Sequence, residues 1–305
     1  MKLGYSVSIK FFYSTVFLFF YLLSSIFASE NHTSIEQVTS RYPTVIGRGR
    51  HGEIRVSKDD NMVIKLSKYK KECLDYKKEF DVQSKIYEQY KQFSKLNDFS
   101  QRAMILEPQQ YYERHDFCFF KMERLKPISG ELLYQLYLGD PSQDQVIKEN
   151  LIRGHYIGFK QASEIVDKYP RVSLTRSNIE QLCYDFGRLL GIIQLAAKFD
   201  ALDYELVLSK SNGKIPYKIS IIDFDQMSSI ADSFASKNIK QIVDRVNWPL
   251  TAETYVPNPS DKCFSHFKAG YLDLARELDI GEKTGFYSEV ANAILNMLEK
   301  ELSPY

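Results

Sequence analysis

The stretch Ile221-Ile222-Asp223-Phe224-Asp225 decides the fold of this chain, because an apolar run leads directly into two carboxylates. Residues 219–222 are predicted to form a short strand, and residues 206–208 form another ahead of it. The turn Ser211-Asn212-Gly213 joins the two. An ordinary surface role is a poor fit for an aspartate that follows two isoleucines, so Asp223 is a candidate functional residue.

A long amphipathic helix is predicted ahead of this hairpin. Its apolar residues recur in steps of three and four between Ile179 and Ala197, so one face of the helix packs against a core. Ser177 and Glu180 are predicted to form a capping box at its start, and the helix is expected to end near Lys198. An acidic loop therefore separates a packed helix from a buried hairpin.

Three carboxylates of this region suit phosphoryl transfer. Asp200 and Glu205 lie between the helix and the first strand, and Asp223 ends the second strand. The reaction needs one carboxylate that orients the nucleophile and others that hold the magnesium bridging the phosphates. We assign Asp200 and Asp223 as catalytic residues, and Asp223 and Glu205 as metal ligands. Taken alone, Asp200 is equally an ordinary helix-end residue.

Lys65 lies inside an apolar strand, where a lysine is costly unless it is paired. In a phosphotransferase such a lysine contacts the α- and β-phosphates of ATP and a carboxylate of the next helix, which is predicted at residues 72–93. We choose Glu79 for that carboxylate. Asp75 and Asp81 are neighbouring alternatives, and a solvated surface position is the ordinary interpretation of Glu79.

Gly47, Gly49 and Gly52 have the spacing G-x-G-x-x-G, which by itself is weak evidence. A dinucleotide-binding motif needs a helix directly after the glycines, but residues 53–57 alternate as a strand and lead to a polar turn. This context favours a glycine-rich hairpin that covers phosphates, since glycine lets the backbone approach phosphate oxygens closely. The alternative is an ordinary glycine turn.

The segment Met122-Glu123-Arg124-Leu125 ends the last strand of the front half. Main-chain groups of Glu123 and Leu125 are candidates to hold the adenine edge of a nucleotide, and an ordinary strand end is the alternative. Strand-rich residues 42–122 precede helix-rich residues 123–305. This order predicts an α+β fold of two lobes.

Residues 1–29 have the order of a secretory signal peptide: a basic, polar start, an apolar run over residues 11–27 and a small residue for cleavage. An uncleaved membrane anchor is the alternative, because the run is close to the minimum length for a membrane span. Residues 30–41 are predicted to be a linker. The protein is therefore expected to be secreted or exported, or anchored, with membrane contact through this segment alone.

The composition indicates a globular protein, since 44% of the residues are hydrophobic and the net charge is +1. That charge gives no reason to expect a nucleic-acid partner. Cys73, Cys118, Cys183 and Cys263 are far apart, without a C-x-x-C pair for zinc or redox chemistry. In an exported chain they allow three disulfide pairings, and buried free thiols are an equal alternative for Cys118 and Cys183.

These motifs resemble the protein-kinase-like superfamily, and the ending Asp223-Phe224-Asp225 resembles its aminoglycoside-phosphotransferase branch, which lacks the glycine usual there. Residues 196–208 and 223–226 are similar to a largely fungal domain-of-unknown-function family with a kinase-like fold. So are Leu136-Tyr137-Leu138-Gly139 and Tyr255-Val256-Pro257-Asn258-Pro259. The resemblance, over roughly residues 41–278, implies a bilobal kinase-like fold, ATP and magnesium as cofactors, and a small-molecule or protein acceptor.

The chain departs from the kinase pattern around Asp200. Lys198-Phe199 stands where protein kinases have His-Arg, Leu202 where they have a lysine, and Glu205 where active kinases have a metal-binding asparagine. Glu205 can still bind magnesium, which prefers oxygen ligands, but without the metal its charge repels phosphates. The sequence therefore leaves three hypotheses: an ATP- and magnesium-dependent phosphotransferase, a pseudokinase that binds without transfer, and a secreted interaction protein with a structural acidic loop.

Overall fold

The computed structural model describes residues 34–48, 52–59, 61–95, 99–126, 175–211, 217–252 and 256–302. The predicted signal or anchor segment, Gly49 and the segment at residues 136–139 lie outside these ranges. Among the described residues, no helix has the length and apolar character needed to cross a membrane. The described parts combine antiparallel strands with helices, which confirms the predicted α+β class.

The front half contains a five-stranded antiparallel sheet in the order β1-β2-β3-β6-β5. The glycine-containing segment connects the antiparallel neighbours β1 and β2, and β3 lies between β2 and β6. β5 was not predicted, because its residues are mostly polar and exposed at the edge of the sheet. The strands are β1 (Thr44–Arg48), β2 (Glu53–Val56), β3 (Met62–Ser67), β5 (Pro108–Glu113) and β6 (Cys118–Glu123).

Helices cover both faces of this sheet, because alternate residues of β3 point to opposite sides. Ile64 and Leu66 face α1 (Ile35–Arg41) and pack around its Val38. Val63 faces the long helix α2 (Cys73–Phe93). Helix α1 lies in the stretch predicted to be a linker; the chain forms a helix there because Ser34 and Gln37 make a capping box.

A second, three-stranded sheet has the order β4-β8-β7. β7 (Glu205–Lys210) and β8 (Tyr217–Ile222) are the predicted antiparallel hairpin. β4 (Ala103–Ile105), reached through α3 (Phe99–Arg102), pairs in parallel with β8. The boundary between the two halves was predicted at Glu123. Strand β4 precedes that boundary in the sequence but belongs to the sheet of the second half, next to the acidic loop.

The back half is a helical layer packed on this second sheet. Its main core is built from α4 (Arg176–Gly191) against α7 (Lys262–Glu282), with the later helices around them. Helix α4 is extended by a π-helical turn at Ile192–Ala196. The other α-helices in the described part of the back half are α5 (Ala231–Ala235), α6 (Ile239–Ala252) and α8 (Phe286–Leu302).

Two helix predictions need correction. The N-cap of α4 is Thr175, not Ser177: the Thr175 side chain accepts from the backbone N–H of Asn178, and the Asn178 side chain accepts from the N–H of Thr175. The predicted single helix to Lys198 is instead an α-helix to Gly191 followed by the π-helical turn. Helix α6 was not assigned from the sequence because it contains a proline, a residue that usually ends a helix.

Candidate functional site

Lys65 lies between two carboxylates from distant parts of the chain. Its Nζ donates to Glu79 at 2.7 Å and to Asp223 Oδ1 at 2.9 Å. The side chain of Glu79 is 4% exposed and that of Asp223 is 33% exposed, so the site opens to solvent on the Asp223 side. The structure thus places the predicted Lys65–Glu79 pair together and adds Asp223, a residue predicted from a distant motif.

The positions of Lys65 on β3 and Glu79 on α2 explain why these two side chains meet. Lys65 is on the same face of β3 as Val63, which is the face covered by α2. Helix α2 buries Tyr76, Glu79 and Gln83 on one side, in steps of three and four. Glu79 is therefore the acidic residue of the helix that points to the sheet.

Burial and neighbouring charges together set the protonation of Lys65 and Glu79. Burial raises the pKa of Glu79 to about 7, against the opposing effect of the Lys65 ammonium. Burial alone would lower the pKa of Lys65, but the charges of Glu79 and then Asp223 outweigh it and raise that pKa. The lysine is therefore an ammonium at neutral pH.

Gly47 and Gly52 flank the predicted glycine turn between β1 and β2. Gly47 is at a bulge in the β1–β2 pairing, and Gly52 precedes β2. A Cβ on Gly52 would overlap the Tyr76 hydroxyl and the Leu66 carbonyl oxygen. The absence of a side chain at position 52 therefore lets the end of the turn pack against both β3 and α2. Gly49 falls outside the described residues.

The backbone is strained in the acidic loop and at Asp223, at the end of the neighbouring strand β8. Ala201, Asp203 and Asp223 have φ values of 60°, 58° and 62°, in the left-handed region that residues other than glycine adopt rarely. Such conformations cost about 1–3 kcal/mol each and persist where the surrounding structure fixes them. Strain of this kind at three positions around one loop is typical of a functional site.

Asp200 has a structural task within this loop. Its Oδ1 accepts hydrogen bonds from the backbone N–H groups of Leu202 at 3.2 Å and Ser228 at 2.9 Å. Its own N–H donates to the carbonyl of Ser228 at 3.0 Å, and the residue is 7% exposed. Asp200 therefore ties the loop to the segment that follows Asp225.

Glu205 is the first residue of β7 and lies opposite Ile222, the residue before Asp223. The two predicted metal ligands are thus at neighbouring strand ends. Among the residues described, no group of three or more His, Cys, Asp or Glu side chains is arranged to hold a metal ion.

Asp203 is a further acidic residue near the site that the sequence did not indicate as functional. This exposed residue accepts a hydrogen bond from Gln226, and its pKa is raised by partial burial and by the charges of Asp225 and Asp223. It therefore lies close enough to both aspartates to interact with them. Its position between Asp200 and Glu205 was the available signal.

The predicted adenine-contacting segment lies beside the same hairpin. Glu123 ends β6, and the N–H of Arg124 donates to the Asn61 carbonyl at 3.0 Å. Leu125 packs on the small core under the sheet, to which Ile222 also contributes. The segment therefore passes close to the strand that leads into Asp223.

Cys73 and Cys118 form a disulfide, while Cys183 and Cys263 are buried free thiols. The sequence left the pairing open. The bridge joins the first residue of α2 to the first residue of β6, next to the site.

Three solved kinase-domain structures are similar to the chain. The kinase domain of PF14_0431 aligns with 11% identity and a TM-score of 0.36, over 75% of this chain and 61% of that one. The Mycobacterium tuberculosis PknI kinase domain aligns with 13% identity and a TM-score of 0.32, over 84% of this chain and 95% of that one. A double mutant of that domain gives the same identity and TM-score, over 85% and 96%.

The chain therefore spans less than two thirds of the PF14_0431 chain. No family model and no curated protein matches it. The structures to which this chain is similar are protein kinase domains.

Proposed function

We propose that the chain is a kinase-like protein that binds ATP with magnesium and transfers the terminal phosphoryl group to an acceptor hydroxyl. The observation that carries the proposal is the position of Lys65, an ammonium held between Glu79 and Asp223. A lysine paired with a helix carboxylate and next to a metal-binding aspartate is the phosphate-binding arrangement of kinases.

The residues present fit both cofactors. Lys65 is suited to phosphate oxygens as an ammonium, and the backbone at Gly47 and Gly52 can approach them closely because glycine has no side chain. Asp223 and Glu205 supply hard oxygen ligands for magnesium. ATP supplies the phosphoryl group and magnesium neutralises its charge when both are bound. Main-chain groups of Glu123 and Leu125 are proposed to contact the adenine.

Asp200 is the proposed residue that orients the acceptor hydroxyl. The acceptor is a small molecule or a protein side chain.

A pseudokinase is the second candidate, and one observation favours it. Asp200 is nearly buried and one of its carboxylate oxygens is already engaged by two backbone amides. A general base must reach the proton that it accepts. A protein that binds nucleotide through Lys65 and transfers nothing fits this geometry as well.

We further propose that the protein matures in an oxidising compartment. Disulfides persist in secreted proteins and in the secretory pathway and are rare in the cytosol. The Cys73–Cys118 bridge supports export directed by residues 1–29, which act either as a cleaved signal peptide or as an uncleaved membrane anchor. The proposed reaction then takes place where ATP is present, in a lumen or inside another cell.

Thermal unfolding with ATP, with and without magnesium, tests the proposal. A ligand that binds the folded state stabilises it by mass action, and at about 100 times Kd the midpoint should rise by roughly 5–10 °C. Lys65→Met should abolish this rise, since it removes the ammonium but keeps the aliphatic stem. Glu79 can then take up a proton, because its pKa is already raised to about 7.

Lys240→Met is the matched control, because Lys240 is 84% exposed and pairs within its own helix. The phosphotransferase is supported if the wild type transfers phosphate and Asp200→Asn loses this transfer but still binds ATP equally well. Binding without any transfer or hydrolysis supports the pseudokinase. An unchanged midpoint in every condition contradicts both and favours the structural interpretation of the acidic loop.

A further inference from the structure

The disulfide connects the two elements whose relative position sets the Lys65–Glu79 contact. Cys73 is the first residue of α2, and Glu79 follows on the same helix. Cys118 is the first residue of β6, the strand that pairs with β3 along its whole length. The bridge is therefore a covalent link between the helix of Glu79 and the neighbour of the strand of Lys65.

The sheet register makes this link short. Cys118 lies opposite Ser67 of β3, and Phe120 lies opposite Lys65. On the helix side, Glu79 is six residues from Cys73, a rise of about 9 Å along the axis. The helix and the strand pair are therefore connected at two points, by the Cys73–Cys118 disulfide and by the Lys65–Glu79 ion pair.

Noncovalent contacts also hold the first turn of α2: its N-cap Glu72 accepts a hydrogen bond from the Ser67 hydroxyl of β3 at 2.6 Å, and Tyr76 packs edge-on against Phe120 of β6. Leu74 is 79% exposed and Asp75 is exposed. Cys73 and Tyr76 supply the buried side chains, and the Tyr111 hydroxyl donates to the Cys73 carbonyl at 2.8 Å. The second half of the helix packs into the main core instead, through Val82 and the residues beyond it. The disulfide thus attaches the N-terminal end of α2 covalently to strand β6 of the five-stranded sheet.

We propose that Cys73 and Cys118 are positioning residues for the nucleotide site: their bridge holds Glu79 against Lys65 and so sets the affinity for the phosphates. This inference rests on the proposed function. The two cysteines are 1% and 0% exposed. The disulfide therefore forms during folding and then stays in place, because a reductant cannot reach the buried sulfur atoms in the folded protein.

A double-mutant cycle tests the proposal. The bridge is removed by Cys73→Ala with Cys118→Ala, in the wild-type background and in Glu79→Gln, and the Kd for a non-hydrolysable ATP analogue with magnesium is measured by calorimetry. Removal should weaken binding about tenfold when Glu79 is present and less than about twofold in Glu79→Gln, because coupled residues are not additive. Equal losses in both backgrounds, or no loss in either, overturn the proposal.

Cys183→Ala with Cys263→Ala is the matched control, since these buried thiols lie in the helical core away from the bridge. It should leave the Kd unchanged. Should the alanine pair at positions 73 and 118 fail to fold, Cys73→Ala with Cys118→Val restores buried volume on the strand and takes its place in the cycle.

A second measurement does not depend on nucleotide binding. The rate at which an amine-specific reagent modifies Lys65 is followed by peptide mass spectrometry, with Lys240 as the internal reference. The Lys65 side chain is 17% exposed in its ion pair, and loss of the bridge should raise its rate about tenfold by freeing it from Glu79. An unchanged rate in the folded variant overturns the positioning role. Failure of the wild type to bind ATP contradicts the proposed function and leaves this measurement valid.

Discussion

One lysine organises the charges of the candidate site. Lys65 faces two carboxylates, so the site in this state carries more negative than positive charge. Nucleotide phosphates would add to that excess unless a cation took over one carboxylate. Asp223 is the more exposed of the two and is the one at a strand end beside Glu205. We therefore expect magnesium to engage Asp223 and to leave the Lys65–Glu79 pair for the phosphates.

The raised pKa of Glu79 predicts a pH-dependent stability. Between its ordinary value of 4.5 and its folded value of about 7, the unfolded chain loses this proton while the folded chain keeps it. The contribution of protonated Glu79 to the free energy of unfolding is fully present below pH 4.5 and is lost as the pH rises through about 7. The free energy of unfolding should therefore fall by roughly 1 kcal/mol per pH unit in this window relative to Glu79→Gln, in urea titrations.

Glu88→Gln is the control for this measurement, because Glu88 lies on the same helix but its side chain is 64% exposed. Its pH profile should run parallel to that of the wild type. A Glu79→Gln profile that is also parallel to the wild type would show that Glu79 titrates normally in the folded protein.

Burial decided which predicted residues lie in the site. An apolar strand around Lys65 required a partner, and the sequence could name three acidic residues on the next helix. Asp75 is exposed and Asp81 pairs with Lys77 in solvent, so Glu79 is the one on the buried face. The hydrogen bond of Asp200 with Ser228 could not be predicted, because it depends on how a later segment returns to the loop.

At the scale of elements, the close contact of α4 and α7 depends on two glycines. A Cβ on Gly187 would overlap the carbonyl oxygen of Phe267, and one on Gly270 would overlap that of Tyr184. The backbones of the two helices therefore touch. Arg188 and Glu277 add a bidentate ion pair across the same interface, at 2.8 and 2.9 Å.

Gly187→Ala should destabilise the protein although alanine is the better helix former. Alanine gains about 1 kcal/mol of helix propensity, but the overlap with backbone forces the helices apart at a cost of about 1–3 kcal/mol or more. Gly281→Ala on α7 is the matched control, since its Cβ would meet nothing within 4 Å. Thermal melts should show a lower midpoint for the first and an equal or higher midpoint for the second. A stabilised Gly187→Ala would contradict the close packing.

Elements with strong local patterns were predictable and those fixed by their surroundings were not. The apolar runs of β3, β6 and β8 and the stripe of α4 gave strands and a helix near their observed bounds. Strand β5 exposes polar side chains, and its pairing with β6 gives it a strand conformation that its composition does not predict. The pairing of β4 with β8 is set by the packing of the whole chain.

At the scale of the molecule, α2 belongs to two cores. Its first half, with Cys73 and Tyr76, packs on the small core under the five-stranded sheet. Its second half, with Val82, Ile86 and Tyr90, packs in the main core with α4 and the second sheet. The Tyr90 hydroxyl also donates to the Ala103 carbonyl at 2.9 Å. Because this helix is shared, we expect the two halves to unfold together rather than as independent domains.

Ile86→Ala tests this coupling. Ile86 is fully buried in the main core, and such a truncation costs about 2–5 kcal/mol because it leaves a cavity. Since the same helix carries Glu79 and Cys73 to the front sheet, calorimetry should show one cooperative transition, shifted as a whole to lower temperature. Leu74→Ala on the exposed side of α2 should change stability by less than about 0.5 kcal/mol. Two transitions in Ile86→Ala, with the front sheet melting at the wild-type temperature, would show that the halves are separate folding units and that α2 does not couple them.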